Sequence, residues 1–258
     1  MRSGEWDQRS NSVLGRAVRL LAAFDVDHPQ LTLAELARRS GLPKSTAHRM
    51  VGELAEHRLL EVDPDGVRLG MRLFELGQLA PRERSLRETA RPLMEDLREV
   101  TGATVHLAVL EGVEVVYLEI LRGKGAPSMP SRIGGRMPAH ATGVGKAILA
   151  FSPPEVVTAR IDAGLAALSR HTIVQPGRLM RELGRIQAQG VAFDVEESGL
   201  GVVCAAAPVF GHGGGVVGAL SVTGRAGRLD AARQAPAVRT AALALSRQLR
   251  RPAPPPER

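Results

Sequence analysis

The chain has 258 residues, enough for two domains of ordinary size, each with its own core. It holds no apolar run near the roughly 20 residues that span a bilayer and no hydrophobic leader among its first ten residues, and its one cysteine, Cys204, rules out an internal disulfide framework. The expectation is a cytoplasmic protein with no membrane attachment. The formal net charge is +7, yet residues 1–70 balance ten Lys/Arg against ten Asp/Glu, so affinity of that segment for a polyanion must come from local placement of charge.

Ser12 to Phe24 reads as a helix with Val13, Ala17, Leu20, Leu21 and Phe24 on its core side. A second helix follows Thr32, a suitable N-cap, with Leu33, Leu36 and Ala37 on one face, and Ser40-Gly41 ends it. Pro43 opens a third, reaching about His57, which buries Ala47, Met50, Val51 and Leu54. Its other face carries Lys44, Ser45, Thr46, His48 and Arg49 near the N-terminus. Leu59–Val62, a turn at Asp63-Pro64-Asp65-Gly66, and Val67–Leu69 then form a hairpin. Three helices and a hairpin in this order make a winged helix-turn-helix, whose expected target is duplex DNA. Arg49 or His48 reaches a guanine edge, while Ser45, Thr46 and Lys44 serve phosphate or base-edge contacts. Arg58 and Arg68 are expected on backbone phosphate; Arg38 and Arg39 are assigned to a solvated face.

Met71–Ala80 is short and amphipathic, with Pro81 and the charged run after it expected to stop the helix and mark a linker over 71–84. Beyond it come a helix from about Leu86 to Val100, strands at 103–110 and 113–121 around a Glu111-Gly112 turn, and a helix from Gly143 to Phe151. Helical segments at 154–162 and 177–189, strands at 191–195, 201–209 and 216–223, and a last helix to about Arg251 complete an α+β domain over 85–251. It is expected to carry a mainly antiparallel sheet flanked by helices. The Pro-rich residues 252–258 are expected to be a disordered tail.

Several motifs carry or exclude chemistry. Gly143-Val144-Gly145-Lys146 has half of a nucleotide-binding loop, but the earlier glycine is His140 and Ala147 replaces the metal-binding hydroxyl. What survives is Thr142 and glycines opening a helix, with backbone N–H groups available to a small anion. Asp194 ends one strand, Cys204 lies within the next, and Ser221 and Thr223 alternate on the third, hence on one sheet face. Polar groups there need partners, and a ligand can be one. His106, His140, His171 and His212 show no metal-ligand spacing, and Ser221 lacks a nucleophile elbow, so neither a metal site nor catalysis is expected, and no cofactor is implied.

These blocks together resemble the IclR-type bacterial transcriptional regulators. LAELARRSGLPKSTAHRM matches the family's DNA-binding core, and the stretches at 103–119, 137–150, 194–209 and 216–224 match its second domain in order and spacing. The resemblance implies a GAF-like C-terminal domain that binds a small metabolite, such as an organic acid, and thereby controls affinity for a double-stranded operator. It implies that Gly143, Val144, Asp194, Cys204, Ser221 and Thr223 line the effector pocket, with Met129, Met137 and Val202 completing it. It also implies dimers through the winged domains over 1–70 and higher assembly, up to tetramers, through the effector domains. Val67 stands where members often carry an aromatic residue. Two other classes remain open at this point: a redox sensor working through a Cys204 thiolate, and an enzyme with an attached winged domain.

Overall fold

The computed structural model describes residues 12–124 and 131–250, and the chain divides into two compact units that meet between Arg84 and Ser85. The expected disordered tail, 252–258, lies outside the described residues.

In the first unit, Ser12 caps α1 (Val13–Leu21) by accepting from the Gly15 N–H at 3.0 Å. Helix α2 (Leu33–Ser40) starts with a reciprocal box: Thr32 Oγ1 accepts from Glu35 N–H at 3.2 Å, and the Glu35 carboxylate accepts from Thr32 N–H at 2.9 Å. Gly41, at φ +67°, turns the chain into α3 (Lys44–Glu56). The wing is β2 (Leu60–Asp63) and β3 (Gly66–Leu69). Leu20, Leu36, Met50, Leu60 and Val67 interlock in the core beneath.

Three details depart from expectation. A two-residue strand, β1 (Gln30–Leu31), pairs with β3 and makes the sheet three-stranded in the order β1-β3-β2. Its approach explains Gly66, where an added Cβ would lie 2.7 Å from the Leu31 carbonyl oxygen. Arg39 is not on a solvated face: its Nε donates to the Ala23 carbonyl at 2.8 Å and its guanidinium pairs with Asp25, tying α2 to the segment after α1. Val13, placed in the core from its spacing, is 56% exposed.

Helix α4 (Met71–Gly77) contains no buried residue. Pro81 does not end a helix but opens the next, α5 (Pro81–Thr101), because a first-turn residue needs no N–H and the fixed proline φ suits the helix.

The second unit is a six-stranded antiparallel sheet in the order β6-β5-β4-β9-β8-β7. Its strands are β4 (Thr104–Glu111), β5 (Glu114–Leu121), β6 (Arg136–Pro138), β7 (Ala192–Val195), β8 (Val202–Phe210) and β9 (Val216–Arg225). Alternation sorts the two faces. Leu107, Ala205, Leu220 and Val222 pack with Met94 and Leu97 of α5 and with Val238 and Leu245 of α9 (Ala231–Arg250). Ala108, Cys204, Ala206 and Ala219 face α6 (Gly143–Leu149), every residue of which is buried, and α8 (Pro176–Gln189). Between these two helices lies α7 (Pro154–Asp162). The fold is α+β, with helices on both sides of a mainly antiparallel sheet.

Candidate DNA-reading face and effector cavity

The first turn of α3 is unusual in what it lacks. Pro43 occupies the cap position with no side-chain hydrogen bond, and no acidic residue stands in the turn, so its leading N–H groups stay open. Lys44, Ser45, His48 and Arg49 are exposed around this end and Thr46 is half-buried. Among the described residues, Lys44 and His48 have no ion-pair partner. Arg49 reaches Glu53, one turn on, at 2.5 Å, but both side chains are about half exposed, and such a pair is weak enough to yield to a phosphate. Arg58 is exposed in the left-handed conformation, φ +57°, in the turn from α3 to β2. Arg68 projects from the wing with Nε 2.8 Å from Glu61 and a second nitrogen 3.4 Å from Asp63, so an incoming phosphate must compete with two carboxylates.

In the second unit, the expected effector residues converge. Met137, Gly143, Val144, Asp194, Val202, Cys204, Ser221 and Thr223 line one cavity with about 340 Å³ of atom-free space out to its mouth. Water centres have about 30 Å³ of that, room for a water or two. Met129 lies outside the described residues. Strand register explains the convergence: Asp194 stands opposite Cys204, Cys204 opposite Thr223, and Ser221 opposite His106, so a polar stripe crosses β7, β8, β9 and β4. Gly143 is glycine because Cys204 Sγ would lie 2.8 Å from any Cβ there.

His106, Tyr117, Ser131, Thr142 and Ser198 also line the cavity; the sequence offers Thr142, with the glycines after it, to a small anion, and points to none of the other four. His106 Nε2 is 3.0 Å from Ser131 Oγ, while Nδ1 is 3.3 Å from Thr223 Oγ1 and 3.4 Å from Ser221 Oγ. Burial, with Arg122 adding to it, lowers the imidazole pKa to about 3, so the ring is neutral. The Tyr117 ring lies tilted against it at 5.2 Å, and burial raises the phenol above its ordinary value. Thr142 caps α6 by accepting from Gly145 N–H at 3.1 Å.

Asp194 holds a turn: one carboxylate oxygen accepts from Glu197 N–H at 2.7 Å and Ser198 N–H at 3.2 Å. Burial nonetheless pushes its carboxyl above the usual range. Cys204 is buried, and desolvation pushes its thiol up to about 12, which leaves no thiolate for redox sensing at neutral pH. Lys146, the residue of the apparent phosphate loop, is fully buried and pairs with Glu197, with Glu182 at 3.8 Å. Its ammonium is spent inside the fold and does not line the cavity. Among the described residues no group of three His, Cys, Asp or Glu side chains is placed to hold a metal, and no helix is long and apolar enough to cross a membrane.

Comparison with known proteins agrees with both units. The family described as bacterial transcriptional regulator IclR C-terminal matches residues 79–247, and the IclR helix-turn-helix domain matches residues 13–64. The HTH-type transcriptional regulator XynR of Escherichia coli is 35% identical over 92% of this chain and 97% of its own length. The transcriptional repressor IclR of the same organism is 32% identical over 84% of this chain and 81% of its own. An IclR homolog from Microbacterium hydrocarbonoxydans, crystallised with 4-hydroxybenzoate, is 34% identical and superposes with a TM-score of 0.86 over 93% of this chain and 99% of that one. These relatives are regulators of transcription rather than enzymes. With an N-terminal reader and a C-terminal ligand domain both matched along nearly the whole described length, this chain belongs to the IclR family of bacterial transcriptional regulators.

Proposed function

We propose that the protein is a cytoplasmic, homodimeric DNA-binding regulator whose operator affinity is set by a small organic acid held in the sheet cavity of its second unit. The observation that carries this reading is the meeting of Met137, Gly143, Val144, Asp194, Val202, Cys204, Ser221 and Thr223, drawn from five separate elements, around one polar-floored cavity. The 4-hydroxybenzoate bound by the Microbacterium homolog makes a carboxylate of that size the first ligand to try. Because the free volume is small, binding must move a wall, and a ligand that favours one wall position biases the conformational equilibrium.

Residues 1–70 act as the reader, 71–84 as the linker and 85–251 as the sensor. Lys44, Ser45, Thr46, His48 and Arg49 face the major groove at the open end of α3, and Arg58 and Arg68 meet the backbone. Met71 and Phe74 of α4, both exposed and one turn apart, supply an apolar face for pairing two copies, with tetramers arising through the sensor units.

The test is fluorescence anisotropy at fixed salt, using the DNA upstream of the protein's own gene against a scrambled fragment of equal length. Binding about a hundredfold tighter to the native fragment, shifted roughly 5- to 150-fold by 4-hydroxybenzoate or a short-chain carboxylate, is expected. Equal, weak binding to both fragments refutes the regulator as drawn. Tight, selective binding that no acid alters refutes only the ligand class.

A further inference from the structure

The cavity floor has a chemical character that the organic-acid reading alone does not account for. Among the described residues no cationic side chain lines it: the imidazole of His106 is uncharged and Lys146 is consumed by Glu197 and Glu182. Asp194 stands on the same sheet face. A carboxylate placed against this floor would lose its water without gaining an opposite charge.

The floor is instead rich in groups that both donate and accept. A neutral imidazole offers one donor and one acceptor, whereas each hydroxyl brings one donor and two acceptor sites. Three hydroxyls, those of Ser131, Ser221 and Thr223, surround the two ring nitrogens at 3.0–3.4 Å, so the ring cannot use all of their capacity. Ser221 and Thr223 also meet the Cys204 thiol, and the capacity left over is offered to the cavity that all three hydroxyls line. The complement of a mixed donor–acceptor surface is a group that is itself both, which describes a hydroxyl and neither a carboxylate nor an ammonium. Tyr117, at 5.2 Å from the imidazole, fixes the ring plane from one side, and the cross-strand pairing of His106 with Ser221 fixes its depth.

We propose that His106, with Ser131, Ser221 and Thr223, forms a hydroxyl-reading subsite at the cavity floor, selecting small organic acids that carry a hydroxyl remote from the carboxylate. The inference rests on the cavity being the effector site. His106 determines specificity here, and the ligand points its hydroxyl inward and its carboxylate toward the mouth. A site built around hydrogen bonds to a hydroxyl disfavours the analogue lacking it, because its own polar groups are then left unpaired.

Isothermal titration of the full-length protein with 4-hydroxybenzoate, benzoate and phenol tests this. The hydroxylated acid is expected to bind about tenfold or more tightly than benzoate. His106→Phe, which keeps a ring against Tyr117 and removes both nitrogens, is expected to bring that ratio to within about twofold. A purely structural role for His106 would weaken both acids together and leave the ratio intact. If the variant fails to melt cooperatively, Ser131→Ala and Thr223→Val each shrink the ratio on a preserved ring. Equal affinities of the wild type for the two acids overturn the subsite and leave the organic-acid reading standing. Phenol binding with the same His106 dependence, and no binding of either acid, supports the subsite and overturns the acid class. Silence of all three probes overturns both.

Discussion

Burial holds the His106 imidazole neutral among the Ser131, Ser221 and Thr223 hydroxyls and the Tyr117 ring, and lowers its pKa to about 3. In the unfolded chain the ring titrates near 6.5. Between those values the unfolded state binds a proton that the folded state refuses, so this residue makes stability fall as the pH drops from 6.5 toward 3. Asp194 and Glu197, raised by burial, bind protons earlier in the folded state and oppose the trend at the acid end. The contribution of His106 is isolated by difference: relative to His106→Phe, the wild type should lose about 3 kcal/mol of unfolding free energy between pH 7 and pH 4 in urea titrations. A difference that stays flat with pH removes the desolvated imidazole from the account. Cys204 makes a second prediction at this scale. With its thiol pushed up to about 12 inside the sheet, it should resist Ellman's reagent in the native protein at pH 8 and react at once after unfolding in guanidinium. Rapid reaction in the native state, with loss of DNA binding, would restore the redox reading.

At the scale of elements, the fit of α6 onto β8 depends on two small residues meeting. Gly143→Ala places a Cβ 2.8 Å from Cys204 Sγ and should cost about 1–3 kcal/mol. Adding Cys204→Ala removes that sulfur and leaves Ala206 Cβ at 3.4 Å as the next neighbour, so the double variant should recover most of the loss. Additive losses in urea denaturation would mean that the clash lies elsewhere. Elements with strong punctuation were legible in the sequence: Thr32 and Gly41 bracket α2, and Asp63–Gly66 announces the wing turn. Strands β1 and β6 were not, since two or three residues carry no periodicity and exist only through their partners. Pro81 was misread because proline opens helices as readily as it follows them. Half of the polar stripe was legible from alternation at Ser221 and Thr223. His106 follows the same rule, flanked by Val105 and Leu107 on the opposite face, but its partners are 115 and 117 residues away and appear only with the strand register.

For the whole molecule, two units with separate cores should not unfold as one. Differential scanning calorimetry is expected to resolve two transitions, with a cavity ligand raising only the one that belongs to the larger unit. A single transition raised as a whole by ligand would join the cores thermodynamically. The formal neutrality of residues 1–70 sets the form of DNA affinity as well: few cations act, each placed. Lys44→Ala should therefore weaken native and scrambled fragments alike and reduce the slope of log affinity against log salt by about 1. A loss confined to the native fragment would instead make Lys44 a base reader.

The chain contains three lysines, Lys44, Lys124 and Lys146, and the last is fully buried. Amine-reactive labels therefore have two lysine targets in the folded protein, one on the recognition helix and one in the sensor unit. Operator DNA should shield the first and spare the second, while Lys146 stays dark until the fold opens. Mass spectrometry of a labelled sample thus reports occupancy of the reader, accessibility of the sensor and integrity of the fold in one spectrum, with no tag introduced.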